Sequence, residues 1–354
     1  MHEKKHGFRY CSDCNNKLQK RSKTAGGKQR WHCTVCSRST TRPRPDLSRV
    51  FLLEGFVSWL LGKDSQAELE QSGRTFRDQT TWCWGVAPPH VLSGEIHHAV
   101  IVDGIRVGGM VCLIARTTEY VIAWLWVPRE NSQYWTELFR LLPQPSYVVC
   151  DGQKGLLKAL SICWPDVTIQ RCRFHAWLNV KTKLTLRPES VAGQELLQLT
   201  RNLLRVRTKR QARRWKRQLK HWYRKHQKYV NERTVKQDPE PRKRSWRYTH
   251  ERLRSAYRQL AKLTDDLLVS SYQPNPELCA TTNHVEGGIN SQLRTKLKLH
   301  RGMPAAHQMR LVIGTFMAER KPQNHHESAY SSDLRHLAFI AIYKIRPSIL
   351  LGLI

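Results

Sequence analysis

Residues 99–127 read AVIVDGIRVGGMVCLIARTTEYVIAWLWV, and this stretch decides the fold. Ala99–Val107, Met110–Thr117 and Tyr120–Val127 are rich in Val, Ile and Trp and are parted by Gly108-Gly109 and by a tight polar turn. Branched and aromatic side chains suit a pleated surface, and paired glycines accept the positive φ of a short hairpin, so three consecutive antiparallel strands are predicted. Downstream, Ser132–Leu142 has the period of an amphipathic helix, Tyr147–Cys150 is a short apolar strand, Gly155–Ile162 returns to helix and Val167–Cys172 is a fifth strand. Three hairpin strands, helix, strand, helix, strand predict an α/β domain built on a mixed sheet.

Two acids interrupt these strands. Asp103 sits inside the first, within Ile101-Val102-Asp103-Gly104, and Asp151 ends the fourth, within Val148-Val149-Cys150-Asp151-Gly152. A carboxylate in an apolar strand is costly unless it is paired or bound to metal. Both positions break the local pattern in the same way, as functional positions do. A third acid lies in Thr281-Thr282-Asn283-His284-Val285-Glu286-Gly287-Gly288-Ile289-Asn290. Read as an α-helix, Asn283, Glu286 and Asn290 are three and four apart and share one face, which makes Glu286 a carboxylate flanked by amides. Gly287 and Gly288 each weaken such a helix by about 1 kcal/mol relative to Ala, a cost that close approach of another backbone or of DNA would offset. An ordinary exposed helical glutamate fits the same residues.

Between the fifth strand and Glu286, roughly Ala176 to Gln273, the chain reads as a basic helical insertion. From Arg201 to Lys228 there are thirteen Lys or Arg and no Asp or Glu. Ala212, Trp215, Leu219 and Trp222 fall three, four and three apart, so one helix face is apolar and the others carry charge. Arg207, Lys209, Arg210, Arg213, Arg214, Lys216, Arg217 and Lys220 are the candidate phosphate contacts, because like charges at this density repel unless an anion neutralises them. Pro239-Glu240-Pro241-Arg242-Lys243-Arg244 reads as a mobile linker before another helix, Tyr248–Val269.

The N-terminal segment has Cys11-x2-Cys14 and, eighteen residues on, Cys33-x2-Cys36. Two thiolate pairs on two knuckles close one tetrahedral site, which predicts a structural zinc ribbon. Lys17, Lys20, Arg21, Lys23, Lys28 and Arg30 lie between the pairs, and both DNA and another protein remain open as the ribbon's partner. After a Pro-broken basic linker at Arg42–Pro45, Ser48–Leu61 has helical spacing, followed by Asp64–Glu70, a Ser-Gly at 72–73 and Thr75–Trp84. Three helices with a tight turn before the last predict a helix-turn-helix with Thr75–Trp84 as recognition helix; a plain helical spacer fits the same pattern.

Composition points the same way. The 354 residues carry a net charge of +32, so a polyanion is the expected partner. A basic membrane-surface protein would need an amphipathic basic helix beside a lipid anchor or spanning segment, and the most apolar run, Leu337–Ile354, is broken by Lys344, Arg346 and Pro347 and is shorter than the roughly 20 residues a span requires. Polar, charged residues from Met1 to Tyr10 lack a secretory signal's apolar core, and of ten cysteines six are scattered. A cytoplasmic, nucleoid-associated protein with no membrane partner is therefore expected.

Strand order, Asp103, Asp151, Cys172 and His175 after the fifth strand, a helical insertion and then a Thr-Asn-x2-Glu segment together resemble the Mutator-type transposases, which include many bacterial insertion-sequence enzymes. The likeness covers roughly residues 97 to 320, and Asp151-Gly152 before a Lys-Gly-Leu helix start and Cys172-Arg173-Phe174-His175 carry most of it. It implies an RNase H-like core and metal-dependent DNA cleavage and strand transfer, with Asp103, Asp151 and Glu286 holding two Mg (or Mn) ions about 3.5–4 Å apart. It also implies double-stranded DNA partners (transposon ends and target), a homodimer or higher oligomer, and supporting roles for Cys172, His175, Asn283 and Asn290. The resulting division is a four-cysteine zinc ribbon at 1–45, a helix-turn-helix-like domain at 46–88, the first part of the core at 95–175, an all-helical insertion at 176–275, the second part of the core at 276–330 and a tail at 331–354. A non-catalytic DNA-binding regulator and an RNase H-like nuclease that only hydrolyses are the competing readings.

Overall fold

The computed structural model describes residues 11, 16–41, 45–69, 71–86, 92, 94–235, 245–273, 275, 277–282 and 284–319. The chain divides into two units, one formed by residues up to 89 and the other by 90–320. The C-terminal apolar run, the linker at 239–244, Cys14 and Asn283 lie outside the described residues.

In the first unit, β1 (Leu18–Lys23), β2 (Gln29–Cys33) and β3 (Ser39–Thr40) form an antiparallel sheet in that order. Among the described residues, Leu18 and part of Trp31 back the cysteines. Helix α1 (Pro45–Leu61) follows, and Phe56 and Trp59 on it meet Trp84 and Phe76 edge to face at 4.7 and 4.9 Å. The expected middle helix at Asp64–Glu70 is reduced to one 3₁₀ turn, Gln66–Glu68, tied by Glu68 to the Ser65 N–H. Seven residues between a lysine-aspartate pair and a Ser-Gly are too few for a stable helix. The last helix begins earlier than expected, because Ser72 rather than Thr75 caps it: the Thr75 N–H donates to Ser72 Oγ, and α2 runs Gly73–Thr80 before tightening to 3₁₀ over Thr81–Gly85. Trp84 is thereby turned into the aromatic cluster.

The second unit is built on a five-stranded mixed sheet. Strands β4 (Ala99–Val107), β5 (Met110–Arg116) and β6 (Val121–Val127) form the antiparallel meander, and β7 (Tyr147–Cys150) and β8 (Thr168–Arg171) add in parallel on the far side of β4, giving the order β6-β5-β4-β7-β8. Gly108 and Gly109, at φ 59° and 84°, make the two-residue hairpin. Alternation along the strands sends Val100, Val102, Leu113 and Val148 to one face, where α3 (Ser132–Arg140) and α4 (Lys154–Cys163) cover them with Trp135, Phe139 and Leu160. Ile101, Ile105, Ile114 and Val149 point to the other, against Leu293 of α10 (Asn290–Leu299) and Val312 and Phe316 of α11 (Ala305–Glu319). The result is a helix–sheet–helix sandwich.

The insertion leaves from β8 through α5 (Arg173–Leu184), α6 (Val191–Leu203) and α7 (Lys209–Val230) and returns through α8 (Glu251–Lys262) and the short α9 (Val269–Tyr272). It has its own core, centred on Trp215, Leu219 and Trp222, the apolar face read from the sequence. The insertion is not all helical: β9 (Arg233–Val235) and β10 (Trp246–Tyr248) pair antiparallel, which also moves the start of the final helix from Tyr248 to Glu251. Thr, Val, Trp and Tyr favour a pleated ribbon at these positions, and Arg233 and Arg254 stack on the Trp246 and Tyr248 rings at 4.1 and 3.8 Å. Trp215 is 2% exposed and its indole N–H donates to the Leu199 carbonyl. Trp215→Ala should therefore cost about 3–5 kcal/mol, read as an earlier unfolding midpoint in urea.

Candidate active site

Asp103 and Asp151 belong to neighbouring strands or their ends. Strands β4 and β7 run parallel with Ile101 opposite Val149; Asp103 lies two residues further along β4, and Asp151 follows directly on the end of β7. Period-two alternation gives the Asp103 side chain the face of Ile101, the face covered by α10. Each carboxylate is oriented by a backbone donor: the Gly104 N–H donates to Asp103 Oδ1 and the Gln153 N–H to Asp151 Oδ1, both at 2.9 Å. Both acids are partly buried.

The glycine after Asp151 has a specific cause. Gly152 has φ +77°, and a Cβ there would fall 1.8 Å from Cζ of Arg171, whose guanidinium lies over it and donates to the Asp151 carbonyl at 2.7 Å. Gly152→Ala should displace Arg171 and strain the turn, lowering the unfolding temperature and reducing any activity that depends on Asp151. Calorimetry on the variant checks this, and an unchanged midpoint counts against it.

The segment carrying Glu286 lies against β4, but not as the α-helix expected. His284–Ile289 is a π-helical turn that passes into α10 at Asn290. Wider π geometry changes the three-and-four spacing that put Asn283, Glu286 and Asn290 on one α-helical face, and the Gly287-Gly288 pair lowers the cost of leaving α geometry. The π turn that carries Glu286 thus lies against β4, the strand of Asp103. Asn290 is 2% exposed and its Oδ1 accepts no hydrogen bond among the described residues.

Cys172 and His175 flank the start of α5. Cys172 Sγ accepts from Thr282 N–H at 3.2 Å and from its hydroxyl at 3.3 Å, so it holds the chain four residues before Glu286. Burial by itself pushes the Cys172 thiol up, but hydrogen bonds from His175 and Thr282 bring it below its ordinary value. Arg173 beside it is fully buried, donating to the Leu267 and Val206 carbonyls and to the Ser270 and Ser271 hydroxyls. Its pKa falls to about 10 through burial and the nearby Arg207 charge. This cation ties the start of α5 to the α6–α7 connection and to the returning Leu267–Ser271 segment, a role with no signal in its sequence context.

Glu130, after β6, is an acid the sequence reading missed. Its carboxylate fills the space over Gly104, where a Cβ would lie 2.5 Å from Oε1, on the sheet face opposite Asp103. Burial, then the Asp151 charge, hold its pKa above the ordinary value, partly offset by Arg106. Only an acid next to the Asn131 cap of α3 marked it in the sequence.

In the first unit, the Cys11, Cys33 and Cys36 sulfurs lie within 4.8 Å of one another, with Cys11 and Cys36 at 3.4 Å. None of the three forms a disulfide. Such a cluster fits the thiolate shell of one tetrahedral ion, with Zn–S about 2.3 Å.

Of the eight cations proposed for phosphate contact, most lie exposed on or beside α7, whereas Lys216 pairs with Asp265 and lies 5.2 Å from the Tyr272 ring. No helix among the described residues is long and apolar enough to cross a membrane.

The fold and site define a class: a mixed α/β domain with one acid on β4 and another directly after the parallel neighbouring strand β7, next to a strongly cationic helical insertion. Residues 118–196 match the family described as Transposase, Mutator family. The matched segment runs from β6 to α6 and includes Asp151, Cys172 and His175. No curated protein matches the chain.

Proposed function

We propose that the protein is a DDE transposase that cleaves and joins DNA strands at the ends of an insertion sequence, using Asp103, Asp151 and Glu286 in an RNase H-like core. The observation that carries this reading is the parallel pairing of β4 with β7, with Ile101 opposite Val149 two residues before Asp103 and Asp151, and the π turn that carries Glu286 lying against β4. The order β6-β5-β4-β7-β8, with one antiparallel meander and two added parallel strands, supports the RNase H-like assignment.

The donor set fits a hard divalent cation. Carboxylate oxygens are the ligands magnesium prefers, and the backbone N–H groups of Gly104 and Gln153 hold one oxygen of each Asp in place. Bound magnesium supplies Lewis-acid stabilisation of the phosphate and an activated oxygen nucleophile. Asp103, Asp151 and Glu286 orient that centre, and Arg171 keeps the Asp151 turn in position through its carbonyl. Water first breaks the P–O3′ bond at the element's end, leaving a 3′ hydroxyl and a 5′ phosphate. That hydroxyl then attacks a target phosphodiester, forming a new P–O3′ bond and releasing the target's own 3′ hydroxyl. No covalent protein–DNA intermediate is used.

Zinc held by Cys11, Cys14, Cys33 and Cys36 completes the N-terminal ribbon, and the following helices form a DNA-binding module in this reading. Two ends must be brought together, so the active form is at least a dimer. A strand-transfer assay with the DNA flanking the reading frame as donor separates the possibilities. Joined products support transposition; nicks alone point to a nuclease, and binding without chemistry to a regulator.

A further inference from the structure

Helices α6 and α7 enclose a groove of ≈ 730 Å³ on the insertion. Its spacing is set from below: Trp215 Nε1 donates to the Leu199 carbonyl at 2.9 Å and Trp222 Nε1 to the Ala192 carbonyl at 3.0 Å, so two indoles of α7 clamp two turns of α6. The α7 wall presents Arg214, Arg217 and Arg224, three and seven residues apart and thus on one face. The α6 wall presents Gln194, Gln198 and Asn202, a row of amides at four-residue steps in which Gln198 donates to Asn202. The one acid lining it, Glu195, is bound by Lys225 at 2.6 Å and His226 at 2.8 Å, so it does not oppose the arginine wall.

We infer that this groove seats the phosphodiester backbone of one strand of duplex DNA, with the arginines on phosphate oxygens and the amides on the same strand's sugar or phosphate edges. Guanidinium forks match phosphate geometry, and neutral amides opposite them offer hydrogen bonds without adding charge. The opposite flank of α7 does not share this role, because Lys216 is held by Asp265 and the Tyr272 ring. The eight cations read from the sequence are thereby divided: Arg214 and Arg217 line the groove, Lys216 does not, and Gln198 and Asn202 join the binding surface.

This inference rests on DNA being the partner but not on the carboxylate site. Binding of a fluorescein-labelled duplex of mixed sequence is followed by anisotropy over a potassium chloride series, using the full chain. The double variant Arg214→Ala/Arg217→Ala should make the slope of log affinity against log salt shallower by about 2, at roughly 0.9 for each phosphate no longer neutralised. Lys216→Ala should leave the slope at the wild-type value, and Gln198→Ala should lower affinity without changing it. Circular dichroism confirms that each variant is folded. A double variant with wild-type slope and affinity overturns the groove, as does an equal loss from Lys216→Ala. A wild-type protein that binds no duplex overturns the DNA reading itself, whereas an Asp151→Asn chain that binds but does not cleave leaves the groove standing.

Discussion

Asp151→Asn should reduce strand cleavage by about three orders of magnitude or more while duplex affinity stays nearly unchanged. A metal-bound carboxylate contributes several kcal/mol of charge stabilisation to a phosphoryl transition state, and each 1.36 kcal/mol is tenfold in rate. The amide keeps the size of the side chain and an oxygen able to accept the Gln153 N–H, so the turn held by Arg171 persists. Loss of activity with an unchanged unfolding midpoint is then chemical rather than structural. Asp103→Asn and Glu286→Gln should behave alike, because each removes one ligand and little cationic surface. End-labelled DNA cut under single-turnover conditions gives the rate, and anisotropy gives the affinity. Cleavage that survives any one substitution removes that residue from the proposed triad.

Cys33→Ser should abolish zinc binding and unfold the N-terminal sheet. Cys33, at the end of β2, is fully buried, and among the described residues the apolar support there amounts to Leu18 and part of Trp31. A sheet of three short strands with so small a core does not fold unaided. In zinc-finger peptides the metal contributes about 10–16 kcal/mol, so its loss outweighs any other interaction in this unit. Metal analysis should give one zinc per wild-type chain and none for the variant, and proteolysis should then cut first within residues 17–40. A metal-free wild-type chain that resists proteolysis there contradicts the ribbon. Core unfolding should be unaffected, since the carboxylates belong to the other unit.

How far the sequence reveals the molecule depends on whether a feature repeats. Strands β4 to β7 are legible to within about a residue because Val, Ile and Trp alternate over several positions and glycines mark the turns. The buried stripe of α7 is legible for the same reason, through Ala212, Trp215, Leu219 and Trp222. Asp103 and Asp151 stand out because a lone acid in an apolar strand violates that repetition. The π turn at Glu286 does not, since helix period carries no mark of π winding and Gly287-Gly288 signals only weakness. Three-residue strands such as β9 and β10 are too short to show a period, which is why the insertion reads as wholly helical. Long-range partners are also hidden: nothing near Lys216 announces Asp265, nothing near Arg173 announces Val206, and Glu130 meets Gly104 only after β6 folds back on the sheet.

The most direct test of the carboxylate site is manganese titration of the full chain followed by electron paramagnetic resonance. Manganese takes the same hard oxygen ligands as magnesium and has little affinity for the thiolates of the ribbon. Two bound ions per chain with a spin-coupled signal are expected in the wild type, and both occupancy and coupling should fall in Asp103→Asn and in Asp151→Asn. Manganese binding left intact by both substitutions would show that these two aspartates do not form a metal centre.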